Sequence, residues 1–260
     1  MLKINLCMTY LVNSPLDQFD IKNLINLSLL QNINFSFTNM SLYLMISGSI
    51  VLILYLLNDN YNKIISNKSS ASQESIYATI HSIVINQINE GKGQMFFPFM
   101  FTLFIFILGN NLVGMIPYSF ATTSHFILTF SLSFTIVLGA TILGFVIHFT
   151  KFFSLLVPSG CPLALLPLLV LIEFISYLAR NVSLGLRLAA NILSGHMLLN
   201  ILSGFTYNIM NSSLLYFLVS LLPLSFIIAF SGLEVGIAFI QAQVFVVLSC
   251  SYIKDGLALH

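Results

Sequence analysis

Long stretches of this chain contain no Asp, Glu, Lys or Arg, among them one between Lys22 and Asp59 and a second between Lys92 and Lys151. A soluble domain spreads such residues over its surface, to about a quarter of its length. Here they make up 7% of 260 residues, while 58% are hydrophobic. So much apolar surface can be covered only by lipid or by other protein, and in lipid the backbone must satisfy its own hydrogen bonds. The reading is an all-α, polytopic membrane protein. Nucleic-acid binding is excluded, because the formal net charge is +1 and no basic cluster exists. No G-x-G-x-x-G and no P-loop is present, so neither nucleotide-binding route is available. Cys7, Cys161 and Cys250 are scattered, and His81, His125, His148, His196 and His260 lack H-x-x-x-H spacing. Neither a disulfide framework nor a metal site is expected.

The remaining charges set the topology. A first membrane helix is expected at about 35–57. The second charge-free stretch is long enough for two spans, 95–116 and 120–150, broken by Ile116-Pro117-Tyr118-Ser119. A turn-rich linker, Val157-Pro158-Ser159-Gly160-Cys161-Pro162, leads to two very long tracts, 162–206 and 213–254, separated by Asn208, Asn211, Ser212 and Ser213. With five spans, Lys63, Lys68, Lys92, Lys151 and Lys254 all fall on one side, and the opposite connections carry no charge. That is the positive-inside pattern, with the N-terminus outside and the C-terminus inside. Between them, Ile76, Tyr77, Ile80, Ile83, Val84 and Ile88 recur at helical spacing, opposite Glu74, Ser75, Thr79, Asn86, Asn89 and Glu90. An amphipathic interfacial helix over 74–90 follows. Residues 1–13 are too short to span, and 14–260 form a single membrane domain.

Glu173, Arg180, Arg187, His196 and Glu234 lie inside the apolar tracts. A charge at the bilayer centre costs roughly 2.5–3.5 kcal/mol, so each is a candidate functional group. The plain alternative is ion pairs that only hold helices together. Glu173, Arg180 and Arg187 recur every seven residues, which keeps them on one helical stripe, and Asn191 extends it by a turn. Glu234 and Gln241 share a similar stripe on the last tract, with Asp255 near the same face. His196 falls about half a turn out of phase with Arg187 and belongs to a different compartment. Its near-neutral titration suits a proton relay, with Glu234 as natural partner. Ser183, Gly185, Ala189, Ala190, Ser194 and Gly195 surround the arginine and permit close helix approach. The tract 162–206 would run roughly 66 Å as a helix, about twice the hydrocarbon thickness, so it must tilt steeply, bend or break.

The segment Ser183-Leu184-Gly185-Leu186-Arg187-Leu188-Ala189-Ala190-Asn191 resembles the signature of the subunit a family of F-type ATP synthases, the proton-channel stator. Ser14-Pro15-Leu16-Asp17-Gln18-Phe19, Met115-Ile116-Pro117-Tyr118-Ser119-Phe120 and Ser251-Tyr252-Ile253-Lys254-Asp255-Gly256 look like the fungal mitochondrial form. The resemblance implies that Arg187 is the essential arginine facing the carboxylates of a c-ring of small hairpin subunits. Asn191 and Gln241 then lie near it. His196 and Glu234 line a half-channel from the intermembrane space, and Glu173 and Asp255 line one to the matrix. It also implies two long, steeply tilted last helices against the ring, other Fo and peripheral-stalk subunits as partners, and no cofactor or metal. The location implied is the mitochondrial inner membrane, N-terminus toward the intermembrane space. Residues 1–13 would be a leader removed to leave Ser14.

Two other classes compete. A self-contained ion-coupled transporter should show internal repeats with matching broken helices, and none is visible. A membrane scaffold with structural ion pairs leaves the convergence of two polar stripes unexplained.

Overall fold

The computed structural model describes residues 14–30, 33–58, 67–88, 90–116, 119–149, 152, 165–212 and 214–257. Within them run a 3-10 turn at Asp17–Phe19, strands β1 (Asn23–Leu30) and β2 (Ile33–Thr38), and helices α1 (Asn39–Asn58), α2 (Lys68–Ile88) and α3 (Glu90–Gly114). A second 3-10 turn, Thr122–Ser124, precedes α4 (Phe126–His148), α5 (Leu166–Met210) and α6 (Leu214–Leu257). Five of these helices are long and apolar enough to cross a membrane. The all-α, multi-pass membrane architecture stands, with one small addition at the N-terminal end. The expected leader at 1–13 and the linker at 157–162 lie outside the described residues.

The first membrane helix starts at Asn39 and not near Phe35. Residues 33–38 read Ile-Asn-Phe-Ser-Phe-Thr, an alternation of period two that suits a strand, and β2 pairs antiparallel with β1. The helix is then started by its own side chains: Thr38 Oγ1 accepts from the Ser41 amide at 3.4 Å, and Ser41 Oγ accepts from the Thr38 amide at 3.2 Å. This reciprocal pair satisfies donors that a helix start leaves open. The amphipathic helix begins at Lys68, six residues before the expected start at 74. Residues 120–125, expected to open the third span, hold the 3-10 turn instead.

The core forms where α2, α3, α4, α5 and α6 meet. Ile80 and Val84 of α2, Met100, Phe104 and Ile107 of α3, Leu184 and Leu188 of α5, and Phe245, Val246 and Tyr252 of α6 are fully or almost fully buried. The apolar face of α2 is thus spent on α3 and α6. By contrast, α1 leans mainly on α3, with one hydrogen bond from α2, where Gln73 Nε2 donates to the Leu54 carbonyl at 3.2 Å. Met45, Leu52, Leu56 and Leu57 stay exposed on it, a surface suited to hydrocarbon. A buried polar joint pins α1 in place: Ser47 Oγ donates to Asn110 Oδ1 at 2.7 Å, and Thr122 Oγ1 donates to the same atom at 3.2 Å. His125, next to this joint at the N-terminal end of α4, stacks on Phe120, and burial pushes its imidazole below the usual range. It therefore stays neutral at pH 7.

Helices α5 and α6 run 45 and 44 residues without a break, Pro223 notwithstanding. At about 1.5 Å per residue each is about twice as long as the hydrocarbon is thick, so both must tilt to stay buried. Small residues set how closely α5 meets its neighbours. At Gly185 an added Cβ would come within 2.9 Å of Ser133 Oγ and 3.2 Å of the Thr129 carbonyl oxygen on α4. At Gly204 the space is open. Gly185→Val should therefore destabilise the packed fold by about 1–3 kcal/mol. Gly204→Ala should be neutral or slightly stabilising. Thermal unfolding of the purified, detergent-solubilised chain in its native assembly would distinguish the two; equal midpoints would contradict the close α4–α5 contact.

Candidate functional site

The site is built on the antiparallel pair α5 and α6. Three contacts fix their register. Arg180 Nη1 of α5 lies 3.5 Å from Asp255 Oδ2 of α6. Asn191 Nδ2 donates to Gln241 Oε1 at 3.2 Å. Gly195 faces Glu234 so closely that an added Cβ would overlap the carboxylate. As residue numbers rise on α5 they fall on α6, so the two polar stripes face each other along the helix pair. Arg180 and His196 are sixteen residues apart on one continuous helix, which separates the ends of the site by about 24 Å. Arg187 lies between them.

Each predicted residue has a distinct setting. Glu173 is half-buried, two turns before Arg180. Arg180 and Asp255 form a partly exposed pair, with side-chain exposures of 43% and 31%. Such pairs contribute little to stability, about 0–1 kcal/mol. Arg187 is exposed, and so are Ser183, Ala190 and Ser194 on the same side of α5. The other small residues look elsewhere: Gly185 and Ala189 are buried, Gly185 against α4, while Gly195 meets α6. The smooth surface around the arginine is therefore narrower than the run of small residues suggests. Asn191 and Gln241 join the two helices one turn beyond Arg187, with Gln241 buried.

Glu234 is 7% exposed, and neither carboxylate oxygen has a hydrogen-bond partner among the described residues. It lines two openings at once. One is a groove of about 430 Å³ toward Asn191, Ser194 and Gln241. The other is an open cavity of about 800 Å³ that reaches His196, Asn200, Ser203 and Ser231 and is bordered by Tyr43, Met115 and Gln18. The half-turn phase difference places His196 in this cavity, away from the surface that exposes Arg187. A buried, unpaired carboxylate is costly for structure alone. Here it forms the wall between a polar cavity and the groove that leads back toward the arginine.

At the other end, Tyr177 and Tyr252 sit with Asp255 around a small crevice near Arg180. The Tyr252 hydroxyl is buried and has no hydrogen-bond partner among the described residues. Neither tyrosine stood out in the sequence, although each precedes a charged residue by three positions and so shares its face. Asn200 and Ser203 follow His196 by four and seven residues, the spacing of one helical face. Gln18 and Phe19 carried no periodic signal, because a short turn and not a helix brings them to the cavity. Among the described residues, no three His, Cys, Asp or Glu side chains gather where a metal ion could be held.

Comparison with known proteins gives one consistent answer. The family model described as "ATP synthase A chain" matches residues 41–254. The "ATP synthase subunit a" of Penicillium chrysogenum is 73% identical over 251 residues, covering 96% of this chain and 98% of that protein. The protein of the same name from Cochliobolus heterostrophus is 74% identical over 249 residues, covering 95% of this chain and 97% of the relative. That of Neurospora crassa is 69% identical over 249 residues, covering 96% and 95%.

If the large cavity holds water, single cysteines on its wall should react readily with a polar thiol reagent in the native assembly. Asn200→Cys and Ser231→Cys are expected to be modified quickly, while Ala238→Cys, fully buried behind them, should stay protected. Equal rates at all three positions would contradict this geometry.

Proposed function

Because the chain belongs to the ATP synthase A chain family, and so is a component of that synthase and not an enzyme on its own, we propose that its α5–α6 pair passes protons to and from a rotor through two offset half-channels. The rotor is a c-ring of small hairpin subunits bearing carboxylates. It docks on the face of α5 that exposes Ser183, Arg187, Ala190 and Ser194. Small side chains there let a rotor helix come close.

One observation carries this reading: two polar regions sit at opposite ends of one helix pair, about 24 Å apart along α5, with an exposed arginine between them. A proton that could cross directly would do no work. A proton forced onto the rotor between two offset channels must turn it to leave. The free energy available is about 2.3 kcal/mol per 100 mV of membrane potential. Access is through the cavity of His196 and Glu234, from the intermembrane space. Glu234 hands the proton toward the groove and the ring carboxylate. Exit is past Asp255 and Glu173 to the matrix, with Asn191 and Gln241 holding the ground beside Arg187.

Arg187 acts as the seal. Its guanidinium remains protonated in any accessible pH range, so it cannot relay the proton itself. It attracts a ring carboxylate that has lost its proton and repels a proton arriving from the wrong side. Lysine would keep the charge but lose the planar fork and the secure protonation.

The chain resides in the mitochondrial inner membrane, N-terminus toward the intermembrane space and C-terminus toward the matrix. Lys254 in the last turn of α6 and Lys68 at the start of α2 support that orientation through the positive-inside bias. Other Fo and peripheral-stalk subunits hold it static, and its exposed α1 offers them or lipid a broad apolar face. Residues 1–13 act as a removable leader.

In membranes carrying the whole synthase, Arg187→Ala should abolish proton-driven ATP synthesis while the complex still assembles. Glu234→Gln should slow it on the order of 10²-fold, the usual contribution of a placed proton-transfer group. Normal synthesis by Arg187→Ala, measured with an imposed proton gradient, would end this reading.

A further inference from the structure

The residues before the first membrane helix make unexpected contacts. Ser14 to Asp20 is a folded unit: the Asp17 amide donates to the Ser14 carbonyl at 3.0 Å, and the Phe19 amide donates to the Leu16 carbonyl at 2.9 Å. Asn39, at the start of α1, clamps its far end. Its Nδ2 donates to the Asp20 carbonyl at 3.0 Å, and its Oδ1 accepts from the Lys22 amide at 3.2 Å. The turn is thereby held over the cavity, where Gln18 joins Asn39 and Tyr43 on the wall.

Phe19 points inward from this turn. It packs against Ala121, Ile192 and Ala238, which come from the turn before α4, from α5 and from α6. Its ring also meets His196 edge to face, with centroids 6.4 Å apart and planes at 74°. That contact matters because His196 Nε2 is buried and has no hydrogen-bond partner among the described residues. The orientation of a relay imidazole is normally set by a hydrogen bond at one ring nitrogen. Here an aromatic edge faces the ring instead. The titratable groups facing the cavity are His196 from α5, Glu234 from α6 and Tyr43 from α1. The α3 end contributes Met115 and Ile116, which are uncharged, and the α4 side contributes Phe120.

We propose that Phe19 is a positioning residue for His196, and that the Asp17–Phe19 turn is the outer wall of the cavity through which protons reach Glu234. The N-terminal segment is then part of the proton path and not a tail. The inference rests on the half-channel reading above. It assigns to Phe19 no contact with the proton: its edge limits the rotation of His196, so that the imidazole faces both cavity and carboxylate. Misplacement of a transfer group by about 1 Å can cost up to about 10²-fold.

The test uses the whole synthase in membranes, with ATP synthesis measured against the proton concentration on the intermembrane-space side. Phe19→Leu and Phe19→Met keep an apolar plug over Ala121, Ile192 and Ala238 but remove the ring. Either should raise the half-saturating outer proton concentration about threefold to tenfold, by more than it lowers the maximal rate. Phe19→Tyr should restore the profile. Phe19→Leu added to His196→Gln should change nothing further, since there is no imidazole left to orient. A half-saturating concentration that is unchanged or lowered in Phe19→Leu would overturn the proposal. Loss of assembly in both Leu and Met variants would assign Phe19 to packing and overturn it equally. The two readings fail separately. If His196→Gln and Glu234→Gln leave synthesis intact, the cavity is not the proton route. If they impair it while Phe19→Leu is silent, only the positioning role falls.

Discussion

Three contacts between α5 and α6 mark the register on which the rest of the site depends, and the first is Gly195 beside Glu234. Any side chain at Gly195 would displace the Glu234 carboxylate from the place it now occupies. From that point the antiparallel geometry carries Gln241 to Asn191 and Asp255 to Arg180. A slip of one turn would break both polar contacts and bury an unmatched charge. In hydrocarbon the penalty for that is large, whereas each interhelical hydrogen bond contributes only about 0.6–2 kcal/mol. The register is therefore specified more by what it avoids than by what each contact gains.

The same register explains why the charges lie where they do on the burial scale. Arg180 and Asp255 are partly exposed and paired, so neither is stranded. Glu234 is buried without a hydrogen-bond partner among the described residues, yet it borders two openings. Arg187 is exposed on a face that none of the described residues covers. Structural ion pairs alone would account for the first case and for neither of the others.

Much of this was readable from residue order. Charge-free stretches give three of the five spans, and the lysines that fall on one side complete the count. Heptad spacing gives the stripe of Glu173, Arg180, Arg187 and Asn191, because a helix repeats nearly every seven residues. The half-turn offset gives His196 its separate compartment. What escaped has physical causes. The strand at 33–38 is shorter and weaker in signal than the apolar run behind it, and its alternation was absorbed into that run. The crevice of Tyr177 and Tyr252 depends on which α6 face meets α5, which spacing along one helix does not reveal. Phe19 reaches His196 across about two-thirds of the sequence, through a turn whose position is fixed by Asn39 and not by any period.

The exposure of Arg187 needs a further step. On an isolated chain, an uncovered guanidinium at mid-helix would be among the costliest features of the fold. Selection for stability would exchange it for leucine, which the flanking Leu186 and Leu188 show that this helix can carry. Snorkelling offers little relief, since the charge lies well inside a continuous helix and the guanidinium cannot turn away without leaving the smooth face beside it. The cost is offset if something of opposite charge comes to that face. The rotor carboxylates proposed above would supply it, and the open polar cavity beside His196 and Glu234 at one end of the helix pair and the Arg180–Asp255 pair at the other fit that proposal.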